Sequence, residues 1–203
     1  MFHWREEYFK TLREVAAEAA AVPEWAEYAT FCTEYEKGLR QQAFTTLDGL
    51  IHRLERAPFV ERKRFLVWLL PRAEGRRGRR MLIPHPLQLR IVEPTLLEWT
   101  IVDPNSSEPH RWIGDEEHLR LAIKLDPVDD AARRKLVMRL LNKVGTDELP
   151  DRYTGSPEKD LEALKEADEI LQAVSSPSDR EELSSYVADE RRLIEENLRR
   201  RRA

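Results

Sequence analysis

Residues 118–136 read HLRLAIKLDPVDDAARRKL, and their punctuation decides the fold. A helical pattern runs up to Leu125, stops at Asp126 and Pro127, and resumes within a few residues. Proline cannot continue a helix and pushes the residue before it toward extended backbone, so Pro127 closes the first helix. Asp126 is placed to cap the second, because a short carboxylate accepts from the free N–H groups of a first helical turn. Ala122 carries only a methyl group, which lets neighbouring helices approach closely. The unit of construction is therefore a pair of helices joined by a short break.

The same grammar extends in both directions. Residues 2–21 place Phe2, Phe9, Leu12, Ala16, Ala19 and Ala20 on an amphipathic helix that ends at Val22 and Pro23. A second helix is expected over 24–37 with Trp25, Tyr28, Phe31 and Tyr35 on one face. A third runs over 41–56 through Phe44, Leu47, Ile51 and Leu54, and a fourth over 59–70 turns Phe65, Trp68 and Leu69 inward. Residues 71–86 contain Gly75, Gly78, Pro84 and Pro86 and are expected to form a flexible, exposed basic loop. A fifth helix over 87–102 contains Pro94, which predicts either a kink or a start near Glu93. After a turn at 103–109, DPNSSEP, helices are expected at 110–124, 129–143, 158–173 and 179–200. Ser156 and Ser176, each followed by proline and acids, are the expected caps of the last two. The expected architecture is all-α, about nine helices packed as hairpins. It is read as a single domain over residues 1–203, with a sub-boundary at 144–157.

Composition agrees. Glycine is scarce at seven residues, Ala, Leu, Glu and Arg dominate, and strand-like alternation is almost absent. Five Trp, five Tyr and six Phe supply bulky core material. The net charge of −4 is unevenly spread: residues 37–146 carry 21 bases against 14 acids, and residues 147–196 carry 16 acids against 6 bases. Two readings follow: acidic helices pair with basic ones inside the fold, or one pole docks a partner of opposite charge. The single cysteine, Cys32, excludes an internal disulfide and a cysteine-based zinc site, and in YATFCTEY it reads as a buried free thiol. The charged start MFHWREEYFK is unlike a signal peptide, and the longest apolar runs are too short to span a bilayer. A cytoplasmic setting is expected, most simply in a bacterium.

Ala122, Leu125, Asp126 and Pro127, with Gly114 and Asp115 upstream, resemble the carboxyl end of a tetratricopeptide repeat. In that family a helix closes with a small residue and Leu-Asp-Pro, and the next repeat opens directly. The resemblance covers about residues 110–143 and implies helical hairpins stacked into a right-handed superhelix. It departs from the family pattern in length: residues 114–127 are about one turn short for a standard second helix, and no other segment repeats at a spacing of about 34 residues.

Catalytic chemistry is hard to place on this chain. It has no nucleophile elbow, no phosphate-binding glycine loop and no HExxH. Asp48 with His52, and Asp115 with His118, share helix faces and are the candidate metal pairs, although two isolated pairs fall short of a helical di-metal pattern. A metal-dependent helical enzyme would need such a centre; no cofactor is expected. Arg76, Arg77, Arg79 and Arg80, in PRAEGRRGRRML, suit an anionic ligand, and a regulatory nucleic-acid-associated protein is the alternative reading. No aromatic residues interleave those arginines to stack on bases. The favoured expectation is a non-catalytic protein-binding module, with an inhibitor (immunity protein) of a bacterial toxin as its specific form. Its partner is a protein with a basic surface, contacted through an acidic face bearing Glu162, Glu166 and Glu169.

Overall fold

The computed structural model describes residues 6–74, 79–145 and 155–202, and every regular element among them is helical. The chain divides into two compact units, Met1–Pro104 and Asn105–Ala203. The division falls within the DPNSSEP turn. The segment 144–157 instead joins two helices of the second unit, and its residues 146–154 lie outside the described part.

In the first unit, α1 (Glu6–Ala20) is followed by a single 3-10 turn at Pro23–Trp25 and by α2 (Ala26–Glu36). Gly38 ends α2, with φ of 78°. The Leu39 amide donates to the Glu34 carbonyl at 2.9 Å and the Gly38 amide to Tyr35 at 3.1 Å, a left-handed cap that favours glycine. Next come α3 (Arg40–Arg56) and α4 (Phe59–Ala73). The aromatic face expected on α2 is the heart of this unit: Tyr28 and Phe31 are fully buried, and Tyr28 meets the Phe65 ring edge-on at 5.4 Å. Trp25 lies 4.5 Å from Trp68. Leu47, Ile51 and Leu54 of α3 are buried as the spacing predicts, whereas Phe44 stays partly exposed. Burial of each such side chain contributes about 1.5–3 kcal/mol.

Two expectations are corrected in this unit. Pro71 does not terminate α4, which continues to Ala73. Proline at the last turn removes one amide, and Arg72 donates back to the Trp68 carbonyl at 2.7 Å, so the final turn holds. Nor do the described residues of 71–86, which are 71–74 and 79–86, form an exposed loop; Gly75 to Gly78 lie outside the described part. Short helices α5 (Arg79–Leu82) and α6 (His85–Leu87) occupy the described part, and Met81, Leu82 and Ile83 are buried. The Tyr28 hydroxyl donates to the Leu82 carbonyl at 2.6 Å, which satisfies a polar pair inside the core. Beyond α6 a widened π turn, Gln88–Val92, leads into α7 (Glu93–Val102). The Glu93 amide reaches back to the Gln88 carbonyl. α7 thus starts at Glu93, the second of the two expectations for Pro94, which stands in its first turn, and the wide turn before it accommodates a residue that has no amide and whose ring crowds the carbonyl four residues back.

The second unit comprises α8 (Glu108–Ile113), α9 (Glu116–Leu125), α10 (Asp130–Leu141), α11 (Pro157–Gln172) and α12 (Pro177–Arg202). Each packs on the next, and α10 also touches α12. Gly114, at φ 73°, makes the turn from α8 to α9. In the junction that opened the sequence reading, α9 ends at Leu125 and Ala122 is fully buried. Asp126 does not cap α10: its carboxylate accepts from the Val128 amide at 3.1 Å and closes a local turn. The cap is Asp129, which accepts from the Ala132 amide at 2.9 Å. The break is therefore four residues long, with Arg133 donating to the Pro127 carbonyl across it.

Tyr28→Phe keeps the ring and strands the Leu82 carbonyl. Urea unfolding should show a loss of about 1–2 kcal/mol with an unchanged slope.

Candidate functional site

The acidic carboxyl-terminal region is built on α11. Pro157 opens this helix at a position where its missing amide costs nothing. Ser156 sits at the cap position, but its hydroxyl donates to Glu158 at 3.4 Å rather than accepting from the backbone. Ser176 does serve as a cap, accepting from the Asp179 amide at 3.3 Å. Leu164, Ala167 and Leu171 are buried against the core of the unit. Helical spacing then turns Glu158, Glu162, Lys165 and Glu169 outward as one stripe, all of them exposed. Glu169 lies 4.0 Å from Lys165, at the limit of an ion pair.

The three glutamates expected to act together do not share one role. Glu162 and Glu169 belong to the outer stripe. Glu166 turns sideways and takes a bidentate pair of bonds from Arg120 of α9, at 2.9 and 3.0 Å. Arg120 also lies 3.4 Å from Glu116, which in turn lies 2.5 Å from Lys143. The Lys143 bond is the main cause that holds the Glu116 carboxyl below its ordinary value, and the bond to Glu166 raises the Arg120 guanidinium. Glu166 thus ties α11 to α9. Glu158, which the sequence reading passed over, takes its place on the stripe, and its spacing of four residues from Glu162 was the available signal.

Of the arginines expected to suit an anionic ligand, Arg76 and Arg77 lie outside the described residues, and Arg79 and Arg80 belong to α5. The candidate metal pairs are engaged otherwise. Arg90 reaches Asp48 at 2.8 Å and Glu55 at 2.7 Å, and His52 sits among these three groups. Asp115 caps α9, accepting from the His118 amide at 2.9 Å and meeting its ring nitrogen at 3.0 Å. Among the described residues no group of three or more His, Cys, Asp or Glu is arranged to hold a metal ion. Trp99 is buried with Lys63 lying 4.1 Å from its ring centre. Trp112, also buried, has Lys135 at 4.2 Å and Arg111 at 5.2 Å. In the first unit an open groove of about 650 Å³ runs between α1 and α2, floored by Ala16, Ala20, Ala26 and Ala29.

Cys32 is fully buried, and burial pushes its thiol up to about 12. A thiol that stays protonated near neutrality is a poor nucleophile. Native protein should therefore resist iodoacetamide, and denaturant should release one modified thiol per chain. Rapid labelling without unfolding would contradict this placement. Compared with known proteins, the chain matches no protein family, no curated sequence and no solved structure.

Proposed function

We propose that this chain is a non-catalytic protein-binding module that docks a partner with a basic surface on the outer face of α11. The observation that carries this reading is the stripe of Glu158, Glu162 and Glu169, relieved only by Lys165. Its charge lies on a helix whose other face is fixed in a hydrophobic core, so the carboxylates are held in register instead of trailing on a loop. The stripe belongs to a region, residues 147–196, with 16 acids against 6 bases. A field of one sign on a rigid helix attracts an oppositely charged surface and accelerates encounter. The narrower form of this reading is a cytoplasmic inhibitor of a toxic bacterial effector whose active surface is basic.

The test is capture of the partner from the source organism by affinity purification, followed by kinetic binding measurements at low and high salt. Glu158→Lys, Glu162→Lys and Glu169→Lys combined should slow association by about tenfold or more and remove most of its salt dependence. Glu166→Gln alters an internal tie and should leave the association rate nearly unchanged. Equal binding by the triple variant would overturn the proposal. A captured nucleic acid in place of a protein would do the same.

A further inference from the structure

The α8–α9 hairpin buries one histidine, His110, beside a second that is partly exposed, His118. His110 is only 5% exposed, and its Nδ1 is buried without a hydrogen-bond partner. Its ring centre lies 5.2 Å from that of His118. Asp115, the carboxylate that acts on His110, is already engaged, with Oδ1 accepting from the His118 amide and meeting His118 Nδ1. The other charges around the hairpin are committed as well. On α8, Glu108 lies 3.9 Å from Arg111, and Arg111 lies 3.1 Å from Asp129 at the start of α10. From α10, Lys135 donates to the Arg111 carbonyl at 3.4 Å, and Arg139 donates to the Gly114 carbonyl at 3.1 Å. Arg111, Lys135 and Arg139 thus stand against Asp115, Glu108 and Asp129, and each of these carboxylates already has a partner other than His110.

We propose that the α8–α9 hairpin is an acid-sensitive latch, closed while His110 is neutral and released when His110 takes up a proton. A protonated His110 would bury a donor with no acceptor and set a charge beside a second imidazole, whereas in an opened hairpin water solvates it. Burial, and then the neighbouring His118, lower the proton affinity of His110 below its ordinary value of 6.5, with Asp115 opposing. The sign follows from linkage. Above about pH 6.5 both closed and open hairpins hold His110 neutral and closure is unopposed. Below it the open form binds a proton that the closed form refuses, so closure weakens as pH falls.

Amide hydrogen exchange on the intact chain, read as protection factors between about pH 7.5 and pH 5, tests the latch. Protection across residues 108–125 should fall by up to about tenfold per pH unit, the limit for one linked proton, while α11 keeps its protection. His110→Phe should flatten that dependence. His118→Gln removes the facing imidazole, lets the closed hairpin take up the proton more readily, and should reduce the size of the loss without shifting its onset. Protection that is flat with pH in the wild-type hairpin overturns the proposal, as does an equal loss in His110→Phe. If the phenylalanine variant does not fold, an undiminished loss in His118→Gln overturns it alone.

Discussion

The carboxylate of Asp129 is the point on which the second unit hangs. It is buried, and burying an unpaired charge would cost several kcal/mol or force protonation. Here one oxygen accepts from the Ala132 amide and the other lies 3.1 Å from Arg111. That single group starts α10, orients α8 through Arg111, and lets the chain turn sharply after Pro127. The hydrophobic residues of α9 to α12 then close around an anchor that was polar from the start. Breaking the anchor would take from the half-buried Arg111 its nearer carboxylate and leave α10 uncapped, so the junction tolerates little variation in chemistry.

Helix identity was legible because it rests on local rules. The periodicity of Leu47, Ile51 and Leu54, or of Leu164, Ala167 and Leu171, places one face inward whatever lies opposite. The errors occur where a nonlocal partner decides. The sequence points to Asp126 as the cap, but Asp129 takes that place, held by Arg111 eighteen residues upstream of it. Met81, Leu82 and Ile83 stand between arginines and prolines and look like loop, but the Tyr28 hydroxyl from fifty-four residues away fixes them in the core. Pro94 carries the usual warning of a kink, and only the backbone before it shows how the warning is absorbed. The candidate acidic face had the same character. Spacing placed Glu162 and Glu169 on the outside, but nothing local announces that Arg120 holds Glu166.

The uneven charge along the chain is partly an internal matter. Arg120 of α9 with Glu166 of α11, and Arg134 of α10 with Asp179 of α12 at 3.5 Å, tie helices of the second unit to one another. Exposed pairs of this kind contribute about 0–1 kcal/mol each. Their value is in register: they fix which side of α11 faces α9. On α11, Glu158, Glu162 and Glu169 remain outward, and they form the face proposed for an external partner.

The wide turn at Gln88–Val92 sets a rule about length. A helix advances roughly 100° per residue, so one residue more or fewer at this point would swing Leu96 and Trp99 away from the interior they fill. Loops usually absorb insertions and deletions, and this chain has several where they would pass unnoticed. Here the continuous stretch from His85 to Val102 behaves as a ruler with one stretched division. Its sequence is freer to change than its length.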